Sequence, residues 1–270
     1  VYDKPTDIKT NRQMPFIHKY QQHNFDNGFQ THNSILDTVN YDPEVIIIGT
    51  YNHGWTWNNS DFYYGRGMYM WTAMANLFTH NYNHLINQRT ANNNIPTRPQ
   101  IFDICRNGKI VFADIVKGIK DNIQAVEQPE NETVLVNNQY IWTSYKDGPL
   151  DYMAAQGWLD DNVKAIVKYI NETKTIKHIY FTFKVGAWLV DKLNEICNQL
   201  RPDVSYCSIF TPTANGFGRQ LEAPFQERVW GLTHCWIWNG LNCNIPINRP
   251  TYGHLDHEWL IRNGVNPNNF

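Results

Sequence analysis

The chain is short of charge, short of cysteine, and without any long apolar run. Of its 270 residues only 18% are charged while 42% are hydrophobic, a balance that excludes wholesale disorder. No apolar stretch approaches the roughly 18–20 residues that cross a bilayer; the longest candidate is Val45–Ile48. The N-terminus lacks the basic-then-apolar order of a signal peptide, so a cytoplasmic protein with no membrane partner is expected. The sequons at Asn58, Asn131 and Asn171 then read as chance matches. The five cysteines form no CxxC, which argues against a disulfide framework or an iron–sulfur site. The one metal-like spacing, His254-x-x-His257-Glu258, is more readily a turn of a surface helix than a ligand set. Neither a metal nor an organic cofactor is expected. Nor is there a strong excess of one charge: the net value is −2, unlike a protein that coats nucleic acid.

What is present is aromatic and unevenly charged. There are 10 Trp, 15 Tyr and 13 Phe, enough to build a core and to stack a flat ligand. Residues 61–120 carry 7 Lys and Arg against 3 acids, and residues 121–161 carry 1 against 8. A modest basic face beside an acidic segment permits local phosphate contact.

Periodicity predicts strands at Glu44–Gly49, Lys109–Asp114, Lys177–Phe183 and Val204–Phe210. Helices are predicted at Met68–Thr79, Trp158–Ile170 and Ala187–Leu200, with a short one around Gln13–Gln22 and a final one at Leu255–Asn263. Thr133–Val136 and Tyr140–Thr143 flank Asn137-Asn138-Gln139 as a hairpin. Strands alternating with helices predict a three-layer α/β sandwich with a mostly parallel central sheet flanked by helices. Residues 1–40 read as an N-terminal arm. Residues 41–270 read as one domain with insertions near 81–108 and 121–150. In such sheets ligands sit at the carboxyl ends of the strands. The loops after Ile48 and Phe210 would share one mouth if their strands are neighbours.

Three segments carry chemistry. Gly49-Thr-Tyr-Asn-His-Gly-Trp-Thr-Trp57 follows the first buried strand. Its glycines admit a ligand to the backbone, and Tyr51, Asn52 and His53 offer stacking, an amide and proton transfer. The same residues also make an Asn/Gly turn with its rings packed inward. Asp61-Phe-Tyr-Tyr-Gly-Arg-Gly67 precedes the first helix. Asp61 could orient water, Tyr63 or Tyr64 could stack on a base, and Arg66 could hold a phosphate; a capped turn at the core edge is the plainer account. Thr211-Pro-Thr-Ala-Asn-Gly-Phe-Gly218 is either a backbone-rich cradle for phosphate or sugar, with Phe217 as a wedge, or a plain loop.

The order of these segments resembles the uracil-DNA glycosylase superfamily, nearest its mismatch-specific and hypoxanthine-type branches. The matching pieces are Ile48-Gly49-Thr-Tyr-Asn52, Phe62-Tyr-Tyr-Gly-Arg-Gly-Met-Tyr-Met-Trp71, Phe112-Ala-Asp-Ile-Val116, Ile179-Tyr-Phe-Thr-Phe-Lys-Val-Gly-Ala187 and Phe210-Thr-Pro-Thr-Ala-Asn215. They span about residues 44–218. The resemblance implies a uracil-DNA-glycosylase-like fold and a monomeric, monofunctional DNA glycosylase. Such an enzyme hydrolyses the N-glycosidic bond of a modified or damaged base flipped out of double-stranded DNA. Some relatives act in defence against phages with modified DNA.

The departures redistribute the roles. Met68 stands where the hypoxanthine-type branch has a functional Asn, and Tyr51 where the mismatch-specific branch has its catalytic Asn. The classical branch's Asp and His are missing. Asn52, one residue on, is the catalytic candidate that the resemblance implies, with Asp61 as the alternative carboxylate and His53 as donor to the base or the water. Tyr51, Tyr63, Tyr64, Met68, Lys184, Thr211, Thr213, Asn215 and Phe217 would line the substrate site. Arg66 and Arg219 would contact phosphate. A Schiff base through Lys184 is disfavoured, since nothing nearby in sequence depresses its pKa. Two other readings stay open. One is an inactive, glycosylase-like module that binds nucleic acid or a nucleotide. The other is an unrelated hydrolase of a small sugar or nucleoside, using Asp61 with Glu222 or Asp114.

Overall fold

The structure is a computed structural model that describes residues 17–66, 68–78, 95–143, 147–182, 186–208 and 262. The chain begins with three short strands, β1 (Gln22–Asn24), β2 (Gln30–His32) and β3 (Ile35–Thr38). The turn between β2 and β3 is Asn33–Ser34, both with positive φ (49° and 60°), the backbone of the tight turn whose twist matches antiparallel strands. Strand β4 (Val45–Gly49) follows and is buried along its whole length. Helix α1 (Tyr69–Phe78) comes next, then helix α2 (Arg98–Gly108) and strand β5 (Ile110–Asp114). Thr97 and Gln100 form a reciprocal capping box that starts α2, with Pro99 in its first turn.

Beyond β5 lie β6 (Val116–Ile119), β7 (Ala125–Gln128), β8 (Thr133–Val136) and β9 (Tyr140–Thr143). Then come α3 (Gly148–Ala155), β10 (Leu159–Asp161), α4 (Val163–Glu172), β11 (His178–Phe181), α5 (Ala187–Cys197) and β12 (Ser205–Ser208). The main sheet has the order β1-β2-β3-β5-β4-β11-β12. Strands β7, β8 and β9 form a separate antiparallel sheet around the expected hairpin. Strand β10 pairs with β6.

The mostly parallel sheet expected from the sequence is overturned. Among the described residues, six of the nine strand pairings are antiparallel. Only β5, β4, β11 and β12 run parallel to one another. The reason lies in residues 22–38, expected as a polar arm: they make three strands that extend the sheet antiparallel through Ile35 and Ala113. A second cause is Leu159–Asp161, expected inside a helix, which pairs with β6 because α4 starts only at Val163. Strands β4 and β12 are also not neighbours, since β11 lies between them.

The core follows from β4 and β5. Val45, Ile46, Ile47 and Ile48 sit beside Ile110, Val111, Phe112 and Ala113, all essentially inaccessible to solvent. Burying each such side chain contributes roughly 1.5–3 kcal/mol. Phe62 and Trp71 meet Phe112 edge-on, and Phe102 packs edge-on against Phe62. Among the described residues no helix is long and apolar enough to cross a membrane.

Candidate active site

The carboxyl ends of β4, β5 and β11 bring together residues far apart in sequence. Asp114 ends β5 opposite Gly49, the last residue of β4. A Cβ at position 49 would stand 2.4 Å from Asp114 Oδ1 and 3.1 Å from the Tyr64 hydroxyl, so only glycine lets the carboxylate lie across the strand end. Asp114 is 2% exposed, and a buried carboxylate needs donors.

Two side chains supply them at one oxygen. Asn52 Nδ2 donates to Asp114 Oδ2 at 2.5 Å, and His18 Nε2 lies 2.7 Å from the same atom. His18 Nδ1 accepts from the Tyr20 backbone N–H at 3.0 Å, which leaves the ring proton on Nε2, aimed at Asp114. Oδ1 of Asp114 takes no hydrogen bond from the described residues. His18 is held there by the backbone: its N–H donates to Lys117 O, Lys19 N–H to Asn52 O, and Gly54 N–H to Ile17 O.

A second carboxyl stands within electrostatic reach. Asp147, at the start of α3, has its pKa pushed up to about 6. Burial is the main cause, and the charges of Asp114 and Asp151 add to it against a hydrogen bond from the Thr50 hydroxyl. Asp151 itself accepts from the Trp188 backbone N–H at 3.1 Å. The Tyr64 hydroxyl bonds Thr182 Oγ1 at 2.8 Å, and its proton is held on by burial and by Asp114.

The other expected residues fall into distinct surroundings. His53 is buried and stacks on Trp55 at 4.2 Å; burial, then the charge of Lys19, push its pKa down to about 3. Tyr51 stacks on Trp142 of β9, and its buried hydroxyl has no hydrogen-bond partner among the described residues. Tyr63 lies in the core, its hydroxyl donating to Ser34 O at 2.7 Å and its ring stacked on Phe112. Asp61 pairs with Arg66 at 2.7 Å, so the alternative carboxylate and the expected phosphate ligand occupy each other. Met68 sits in the turn before α1, its N–H donating to Gly65 O. Lys184, Thr211, Thr213, Asn215, Phe217, Arg219 and Glu222 lie outside the described residues, as do His254, His257 and Glu258.

Of the sequence candidates, Asn52 therefore meets Asp114, whereas Asp61 pairs off with Arg66. Three further residues complete the site: Asp114, named in the sequence only as a carboxylate of the small-sugar or nucleoside hydrolase, and Asp147 and His18, which the sequence did not single out. Asp114 had a signal, a carboxylate ending an apolar strand. Asp147 had one too, an Asp just before Gly-Pro at a helix start. His18 had none, because its partner is 96 positions away. Among the described residues no group of three or more His, Cys, Asp or Glu side chains is arranged to hold a metal. No protein-family model, no curated protein and no solved structure matches the chain.

Proposed function

We propose that the protein is a hydrolase of N-glycosidic bonds that acts as a DNA glycosylase on a modified or damaged base flipped out of the duplex. The observation that carries the reading is a buried Asp114 with one oxygen fixed by Asn52 and His18 and the other without a hydrogen bond from the described residues, within electrostatic reach of a second carboxyl that keeps its proton to about pH 6. Glycosidic cleavage passes through an oxocarbenium-like state and needs one charged and one protonated carboxyl. Asp114 stabilises the sugar cation and takes a proton from water at Oδ1. Asp147 donates to the departing base. Asn52 then acts by aiming Asp114 rather than by holding the water itself. The motif order resembling the uracil-DNA glycosylase superfamily supports a polymer substrate, and with it a cytoplasmic location.

The test is a panel of duplexes carrying uracil, hypoxanthine, a thymine mismatch, or hydroxymethylated or glucosylated cytosine, followed by alkali to break abasic sites. Strand breaks on one substrate, reduced ~100-fold or more in Asp114→Asn, are expected. Intact DNA throughout would overturn the reading. A second reading, base release from a free nucleoside, is favoured by the carboxylates Asp114, Asp147 and Asp151, which repel a phosphodiester backbone. Nucleosides added to the same panel separate the two.

A further inference from the structure

We infer that His18 is a positioning residue: as its Nε2–H tautomer it fixes Asp114 for the reaction, so that the segment Ile17–Tyr20 is a working part of the site. The inference rests on the proposed hydrolysis for its kinetic consequence, but not for its geometry. His18 and Asp114 are 1% and 2% exposed, so their contact of 2.7 Å is not a weak, screened surface pair. Each ring nitrogen has one defined partner. The Tyr20 N–H occupies Nδ1, and Asp114 Oδ2 receives the proton of Nε2.

The surroundings prevent the ring from turning. Tyr20, Tyr51 and Tyr63 pack at 5.9–6.0 Å between ring centroids. Backbone bridges pair Ile17 with Gly118 and His18 with His53, which pins the segment between the loop after β4 and strand β6. Asn52 and His18 reach the same carboxylate oxygen from two segments that are themselves joined by the Lys19 N–H to Asn52 O bond. Removing either leaves Asp114 able to rotate and brings Oδ1 out of aim.

The replacement series separates positioning from bulk. The Gln amide nitrogen can stand where Nε2 stands, whereas the Asn side chain is too short and Phe has no donor. His18→Gln is expected to keep kcat within about tenfold of wild type. His18→Asn and His18→Phe are expected to lose ~100-fold or more in kcat with KM little changed. Equal losses in all three with a matching fall in thermal stability would show a structural role and overturn the inference. A readout free of activity is the long-range proton–nitrogen NMR spectrum of the His18 ring at pH 7. One Nε2–H tautomer, with its proton signal far downfield and displaced in Asp114→Asn, is expected. A mixture of tautomers, or an Nε2 proton lost to rapid exchange, would overturn the inference even if no DNA substrate is ever cut. If the tautomer is as expected and no base is released, the hydrolase reading fails and His18 stands.

Discussion

At the scale of single residues, burial sets the protonation of the site. His53 keeps its neutral form down to about pH 3, while an unfolded histidine titrates near 6.5. The folded state therefore resists the proton, and stability is present above about pH 6.5 and lost as pH falls toward 3. The loss amounts to about 2 kcal/mol by pH 5. Asp147 works in the opposite sense. Its folded pKa of about 6 exceeds the ordinary carboxyl value, so its contribution is full below about pH 4 and fades as pH rises through 6. Urea midpoints measured from pH 4 to 8 should show the acid-side loss reduced in His53→Phe and the alkaline-side loss reduced in Asp147→Asn. Under the proposed hydrolysis, activity should follow the second group. If Asp147 is the acid, the basic limb of the pH–rate profile falls near pH 6 in the wild type and disappears in Asp147→Asn along with most of the rate. Asn52 gives a further check, because Asn52→Asp would set a second carboxylate against Asp114 Oδ2. Its melting temperature should fall well below wild type at pH 8 and recover at pH 5, where one of the pair takes a proton.

At the scale of elements, the site depends on the register of β4 and β5. Gly49 faces Asp114 across the pair, and a methyl group there would stand 2.4 Å from the carboxylate oxygen. Gly49→Ala must therefore displace Asp114 or the strand end. A loss of stability of roughly 1–3 kcal/mol and a near-complete loss of activity are expected from denaturant titration and base-release assays. An alanine variant as stable and active as wild type would remove Asp114 from the site. These same elements show what was legible. The run Val45–Ile48 announces a strand buried on both faces, and the structure pairs it on both sides. Helix α2 was missed although Thr97-Arg-Pro-Gln100 spells its capping box, because the asparagines before it hid the change from loop to helix. Strands β1 to β3 were missed for a different reason. Each is only three or four residues long, too short for alternation to register, and they gain strand form by pairing with one another and with Ala113. His18 is carried to Asp114 by other long-range pairings, the bridges of Ile17 to Gly118 and of His18 to His53, so the residue most hidden in the sequence is hidden by the same physics.

At the scale of the whole molecule, the question is how a chain of net charge −2 would hold a polyanion. Its expected phosphate ligand Arg66 is engaged by Asp61 at 2.7 Å, with both side chains more than a third exposed. An exposed pair of this kind is worth little and exchanges readily with solvent or a phosphate. Binding to DNA must break it, and the carboxylate left behind repels the backbone. Asp61→Asn removes both costs, so duplex affinity should rise, with the largest gain at low salt where unscreened charge counts most. Arg66→Gln should flatten the dependence of log affinity on log salt by about 0.9 if the guanidinium reaches one phosphate. Fluorescence anisotropy on a labelled duplex between 50 and 200 mM salt, about the range over which such slopes are read, measures both. The same variant decides between the two carboxylates. If Asp61→Asn cuts DNA as fast as wild type while binding it more tightly, Asp61 is a gatekeeper of Arg66 and the chemistry belongs to Asp114. If cutting is abolished while Asp114→Asn still cuts, the order is reversed, and the buried cluster of His18, Asn52 and Asp114 serves only to hold β5 against the loop after β4.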